Sequence, residues 1–304
     1  MEQWRELEAE AGQRLLTVTG GIDFGDADEL AAVAGACRTA GVATEWLDAA
    51  EAGRRFPGIA TIGPVLYQPS TATVDADRAV AAMQRVAAER GADLAFGERV
   101  ESLVDCGDSV DIRTDRRRIR ADRCVVAAGA WATRALRDLV PLPTITVTQE
   151  QVAYFRPRPG IDAESWPTFI DRREPTVYGL PSPDGLIKVG EHCTGPVVDP
   201  DDRTFALEPA TWSRLVDWVQ RQLPGVEPHP VRDTTCLYAS SPTDDFVIDR
   251  VGRIVVAAGL GGHGFKFLPE IGRQLADLAD GIDLPDNPFS LDMHGGAPGF
   301  ARRR

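Results

Sequence analysis

Residues 252–281 constrain the fold more than any other stretch of the chain. GRIVVAAG is the kind of apolar run that forms a buried strand. It passes through Gly259-Leu260-Gly261-Gly262-His263-Gly264 and the short FKFL link into PEIGRQLADLADG, whose apolar residues recur at helical spacing. Pro269 suits a first helical turn and Gly281 its end. Strand, glycine loop and helix in that order predict an α/β layer. The glycines also match the GxGxxG pattern of dinucleotide sites, but a nicotinamide site needs a second parallel strand that ends in an acidic residue roughly 20 residues on. Here the helix is followed by PDNPFSLDMHGGAPGFARRR, which contains no apolar strand. This proline- and glycine-rich tail is expected to be poorly ordered.

The loop keeps its physical character without that assignment. Glycines let backbone approach a flat ligand closely, and amides at a helix N-terminus favour negative charge. A ligand that becomes anionic during turnover gains most, and reduced flavin, charged along its N1 and O2 edge, is one.

Lysine usage marks where charge chemistry sits. Lys188 and Lys266 are the only lysines among 33 basic residues, and each lies in a glycine-flanked segment beside a histidine. Lysine is a compact ammonium whose pKa responds to burial, whereas arginine stays protonated. In GLIKVGEH, strand alternation puts Leu186, Lys188, Gly190 and His192 on one face, and Gly190 leaves open space between the two polar side chains. A solvated edge strand is the other reading of this segment. Lys266 stands between Phe265 and Phe267, aromatics that fix the segment so that the ammonium projects near whatever the loop cradles, a placement suited to a substrate carboxylate. Tyr178, before a GlyLeuPro turn, is either a hydroxyl donor to the same cavity or a half-buried core tyrosine. Cys236, taken alone, reads as a buried inert thiol.

Composition excludes several classes. Forty-six acidic against 33 basic residues give a net charge of −13, which disfavours nucleic acid and anionic membranes. Arg116, Arg117, Arg118 and Arg120 read as an exposed hairpin turn. No stretch approaches the ~20 apolar residues of a membrane span, and MEQWRELEAEAG lacks a signal-peptide core, so a cytoplasmic location is expected. The five cysteines are scattered without CxxC, which indicates neither a disulfide framework nor a metal cluster. His192 and Cys193, on opposite faces of a strand, are poorly placed to share one ion.

Along the chain, residues 3–12, 26–41, 74–91 and 209–223 read as helices and 63–69 as a strand. The segment from 92 to 128 reads as a β-meander that ends in the apolar strand Cys124 to Ala128, after which Gly129-Ala130-Trp131 opens a helix. From 141 the character turns to proline-bounded β segments, which mark a second domain.

Four ordered segments, RCVVAAGAW, VYGLPSPDGLIKVGEH, RDTTCLYASSPTDDFVID and RIVVAAGLGGHGFKF, resemble the monomeric sarcosine oxidase and N-methyltryptophan oxidase family of FAD-dependent amine oxidases. The resemblance spans about residues 3–283. It implies an α/β (α+β) fold: an incomplete FAD/NAD(P)-binding-type domain from residues 1–11, 66–138 and 238–284, a substrate domain with a mixed, largely antiparallel sheet from 12–65 and 139–237, and a tail at 285–304. It implies FAD held covalently through Cys236 and its 8α-methyl group, Lys188 promoting reaction with oxygen, and Lys266 binding the substrate carboxylate. Tyr178, His192 and His263 fall on substrate-cavity positions. Gly259, Gly261, Gly262 and Gly264 lie at the pyrimidine end of the flavin, and Gly129, Trp131 and Val100 are expected among the residues that hold the cofactor.

The implied reaction oxidises an N-methyl amine and releases amine, formaldehyde and hydrogen peroxide, the partners being a small amine and molecular oxygen. A cyclic imino acid or a glycated amine is an alternative substrate. Family members begin with a strand and GxGxxG turn, then an arginine-bearing segment; Met1 here aligns after both. The expectation is therefore a sheet completed by an upstream reading frame or a partner chain, or else an inert subunit that binds no flavin.

Overall fold

The computed structural model describes residues 1–295. In chain order the elements are α1 (Glu2–Ala11), β1 (Leu16–Val18), β2 (Gly21–Phe24), α2 (Ala27–Thr39), β3 (Glu45–Leu47), α3 (Ala49–Arg55), β4 (Val65–Gln68), β5 (Ala72–Val74) and α4 (Ala76–Glu89). There follow β6 (Val100–Asp105), β7 (Val110–Thr114), β8 (Arg118–Ala121), β9 (Cys124–Val126), α5 (Ala132–Ala135), β10 (Thr146–Phe155), β11 (Thr168–Asp171), β12 (Val177–Pro181) and β13 (Ile187–Glu191). The last are α6 (Pro209–Gln222), β14 (Arg232–Ser240), β15 (Val247–Val251), β16 (Ile254–Ala258) and α7 (Leu268–Asp280).

The largest sheet has eight strands in the order β14-β10-β13-β12-β11-β2-β4-β3. Only β11 and β2 run parallel within it, so the sheet is mixed and largely antiparallel, as expected. Period-two alternation splits its faces. Phe24, Ala153, Phe155, Phe169, Val177, Ile187 and Val189 share one face and pack with Leu215 and Val219 of α6 in one buried core. The polar groups on this face are tied to the helix: Trp218 Nε1 donates to Asp171 at 3.0 Å and Arg214 Nε to Glu191 at 2.8 Å. The intervening residues, among them Lys188 and Tyr178, project from the other face.

A second layer contains the strand and helix of residues 252–281. All five residues of β16 are buried, and α7 covers β15 and β16 through Ile271, Leu275 and Leu278. Pro269 lies in the first turn of α7, and Gly281 closes it in the left-handed conformation at φ 86°. Among the described residues no strand follows α7.

Two expectations need correction. The apolar strand at Cys124 does not close the meander: β6, β7 and β8 form their own three-stranded sheet, and β9 pairs in parallel with β16. Local spacing suggested a hairpin neighbour, but burial of Val126 beside Val256 and Ile254 favours the long-range partner. The tail is also ordered as far as the described residues run, while 296–304 lie outside them. Ile248 donates its amide to Phe289 O at 2.8 Å, Leu291 is 4% exposed within the core beneath β9 and β16, and His294 Nε2 lies 2.8 Å from Phe246 O. Apolar side chains at 289 and 291 offset the low local propensity of a Pro/Gly-rich stretch.

The arginine cluster does form a hairpin turn. Arg117 pairs with Glu98, Arg118 with Asp111 and Arg120 with Asp108. Among the described residues no helix is long and apolar enough to cross a membrane.

Docking of the tail is testable. Leu291→Ala should destabilise the protein by about 2–5 kcal/mol, the usual range for a buried leucine, read as a lower denaturation midpoint at unchanged m. An unchanged midpoint would show that this segment does not pack.

Candidate active site

The β10–β14 register places Glu150 directly opposite Cys236. Gly190 of β13 stands between Val152 of β10 and Tyr178 of β12, and Lys188 between Tyr154 and Leu180. Residues opposed in this way project to the same side of a sheet. Cys236, Glu150, Lys188 and Tyr178 therefore share the face turned away from α6, with His192 just beyond β13 and Tyr238 two residues along from Cys236.

Tyr238 is the hub of this face. Its hydroxyl is hydrogen-bonded to that of Tyr178. Its ring lies 5.5 Å from the imidazole of His192. A Cβ on Gly262 would come within 2.1 Å of the same ring, so the glycine loop rests directly on it. The loop is joined to the end of β14, where Gly261 N donates to Ala239 O at 3.0 Å and Leu260 bridges to Ser240. Sequence reasoning passed over Tyr238. The available signal was its two-residue offset from Cys236, which places both on one face of a strand.

Gly190 needs a correction. It does not leave open space, because a Cβ there would meet Val152 Cγ1 at 2.8 Å and the Tyr178 hydroxyl at 3.0 Å. Glycine is required so that the Tyr178 ring can lie across the strand. Gly259 and Gly261 adopt positive φ (66° and 53°), while a Cβ on Gly264 would come within 2.6 Å of Leu260. The loop glycines thus serve turn geometry and packing on Tyr238 and Leu260.

Burial sets the protonation states. It pushes the Tyr178 hydroxyl up to about 12 and raises Tyr238 further, the neighbouring Tyr178 adding to the effect. Both stay neutral hydroxyls across the physiological range. Burial also raises the Cys236 thiol, opposed by the Lys188 ammonium. His263 is lowered by burial and then by Lys266, and its ring stacks on Phe246 at 5.0 Å. Lys266 is exposed at the rim, yet enough protein surrounds its ammonium that desolvation, joined by the charge of Arg172, lowers its pKa. Its carbonyl accepts from Trp4 Nε1 at 2.8 Å, which anchors the turn to α1.

The buried Glu150, 1% exposed, is a second group missed by sequence reasoning. Its carboxylate accepts from Thr194 N at 3.1 Å, Gly195 N at 3.0 Å and Thr148 Oγ1 at 2.6 Å. It therefore fixes the 192–195 turn beside Cys236. All five cysteines are free thiols.

The remaining expected cofactor residues sit at the junction with the second layer or beyond it. The β9–β16 register runs Val125↔Val255 and Val126↔Val256, so Gly129 and Gly259 follow the ends of neighbouring parallel strands. The C-terminal crevice of such strands is where ligands bind in open α/β sheets. Gly129, at φ 52°, opens a 3-10 turn that packs against β14. Trp131 in that turn is exposed and donates its indole N–H to Asp201 at 2.7 Å. Val100 starts β6, in the meander sheet, with its side chain exposed; the structure does not bring it to the cluster around Tyr238.

The residues present fit the ring system of a flavin. A half-buried free thiol and a cation share one face, and the turn and helix after the glycine loop have no side-chain cap at their N-termini. Uncapped amides suit an anionic ring edge.

Residues 1–278 match the family of FAD dependent oxidoreductases designated DAO. The monomeric sarcosine oxidase of Streptomyces avermitilis is 33% identical over 302 residues, covering 91% of this chain and 76% of that protein. The N-methyl-L-tryptophan oxidase of Citrobacter koseri is 28% identical, with 95% and 80% covered. Among solved structures, NikD, an unusual amino acid oxidase essential for nikkomycin biosynthesis, superposes with a TM-score of 0.82 at 28% identity, covering 95% of this chain and 79% of that one. The chain belongs to the FAD-dependent oxidoreductase family, beside the monomeric sarcosine oxidases and N-methyltryptophan oxidases.

Proposed function

We propose that this FAD-dependent amine oxidase acts on a secondary, N-methylated amino acid and yields the demethylated amine, formaldehyde and hydrogen peroxide. One observation carries the reading: a single sheet face gathers Cys236, Lys188, Tyr178, Tyr238 and His192 beneath a glycine loop that leads to Lys266. Bound FAD would supply the two-electron acceptor and pass those electrons to oxygen. The protein's own groups hold and orient the reactants.

In this reading Cys236 carries FAD as a thioether, with Glu150 and the 192–195 turn fixing the strand edge around the sulfur. Lys266 binds the substrate carboxylate, its positive charge made more effective by the low dielectric that lowers its pKa. The neutral hydroxyls of Tyr178 and Tyr238 line the cavity and offer hydrogen bonds without adding charge beside the amine nitrogen. His192 and His263 complete the wall; the depressed pKa of His263 favours its neutral form and so keeps a second cation away from Lys266. Lys188 is a fixed cation where negative charge builds on oxygen during its reduction, an electrostatic role that needs no movement of the side chain.

Residues 12–65 and 139–237 serve as the substrate domain in this account, with 1–11, 66–138 and 238–284 as part of the FAD domain. The edge of β9 away from β16 is the place where a further strand would pair, whether from the same polypeptide or a partner. Val125, 44% exposed, marks it.

Two measurements test the assignment. After acid precipitation, yellow colour should stay with the wild-type protein and be lost from Cys236→Ala; colour retained in that variant would place the linkage elsewhere. In separate half-reactions, Lys188→Met should slow reoxidation by oxygen far more than reduction by the amine, on the order of a hundredfold or more for loss of one electrostatic stabiliser. Equal losses in both would remove Lys188 from the oxygen step.

A further inference from the structure

Arg172 follows β11 on the same face as the candidate active site and lies outside the four sequence segments that carry the family resemblance. Its amide donates to Phe24 O at 2.8 Å, which continues the β11–β2 ladder by one residue. Its neighbour Arg173 turns to the opposite face, onto Asp171. Arg172 instead meets Asp23, which lies opposite Ile170 on β2, with Nε donating to Oδ1 at 2.8 Å and Nη2 lying 2.6 Å from the same oxygen. Asp23 is 4% exposed, and Gln68 Nε2 donates to its other oxygen at 3.2 Å. The guanidinium is thus held by a buried, oriented carboxylate. Among the described residues Nη1 donates to no acceptor, and it is not enclosed.

Where this cation stands follows from the strand order. β11 is two strands from β13, so the Arg172 column lies roughly 10 Å from that of His192 at ~4.8 Å per strand. Asp23, one strand further out, draws the guanidinium away from Tyr178 and His192. Arg172 therefore stands two strands away from the column of His192, on the β2 side of the same face. Its charge is felt at Lys266, so the two cations serve one neighbourhood. A chain of net charge −13 has thus brought three cations, Lys188, Lys266 and Arg172, to one neighbourhood, the last of them paired with Asp23.

We propose that Arg172, positioned by Asp23, is a specificity-determining residue that receives a second acidic group on the substrate, so that the cavity selects amino acids with an acidic side chain. This rests on the amine oxidase reading above, with the α-carboxylate at Lys266. Asp23 takes Nε and Nη2, so one substrate carboxylate at Lys266 would leave Nη1 of Arg172 without an acceptor; a side-chain carboxylate fills it with a charge-assisted hydrogen bond.

Anaerobic binding of N-methyl-L-glutamate and of its neutral isostere N-methyl-L-glutamine to the flavin-loaded protein after chemical reduction of the flavin, so that no turnover occurs, measured by titration calorimetry, tests the proposal. The acid should bind at least about tenfold tighter, the scale of one hydrogen bond to a charged group. In the double variant Asp23→Asn/Arg172→Gln, which removes both charges together and leaves no unpaired buried carboxylate, that preference should fall to near unity while affinity for the amide isostere changes by less than about threefold. Arg172→Lys should keep part of the preference. Equal affinity for both ligands in the wild type, or a preference that persists in the double variant, overturns the proposal. Anaerobic bleaching of the oxidised flavin by either amine, recorded on the same preparation before chemical reduction, separates the two failures. Bleaching without a preference refutes only the role of Arg172, whereas binding without bleaching by either amine refutes the oxidase reading as well.

Discussion

Burial of one face of the eight-stranded sheet beneath α6 is the constraint on which the rest depends. Phe24, Phe155, Phe169, Ile187 and Val189 must face Leu215 and Val219 to leave water, and this fixes the parity of every strand. With parity fixed, Cys236, Glu150, Lys188, Tyr178 and Asp23 have no choice but the opposite face. A one-residue slip in β13 would exchange Lys188 for Ile187, losing core and site together. Trp218 on Asp171 and Arg214 on Glu191 add polar anchors that pin the same parity from the helix side.

The second layer contributes the loop that rests on this face. β9 and β16 run side by side and end in Gly129 and Gly259, and the loop after Gly259 lies on the end of β14 against Tyr238. Tyr238 is therefore the joint between the two layers, touching the loop through Gly262, β12 through Tyr178 and the 192 turn through its imidazole. Because both tyrosines are neutral and Lys188, Lys266 and Arg172 are cationic, the wall is suited to an amine that carries its negative charge at the edges of the molecule rather than at the reacting carbon.

Much of this was legible from sequence where the physics is local. The glycine-loop strand, α7 with Pro269 and Gly281, the shared face of Lys188 and His192 and the arginine hairpin follow from periodicity and turn chemistry. What stayed hidden depends on contacts between distant segments. The partner of β9 is set by long-range burial, and the role of Gly190 by a tyrosine 12 residues earlier in the sequence folding across it. Tyr238 and Glu150 sit in strands that look ordinary in isolation and acquire meaning only from their neighbours across the sheet. Arg172 was masked by its abundance: Arg173 and Arg214 also pair with buried carboxylates, and only its place on the face opposite α6 sets it apart.

The central claim is that this sheet face oxidises an N-methylated amino acid at the expense of oxygen. Its most direct test is stoichiometry, with oxygen consumed, hydrogen peroxide released and formaldehyde released measured together on the flavin-loaded protein supplied with an N-methyl amino acid. The account predicts equal molar amounts of all three. Oxygen uptake and peroxide without formaldehyde would place oxidation at a different carbon, and no uptake by a fully flavinylated protein would contradict the account.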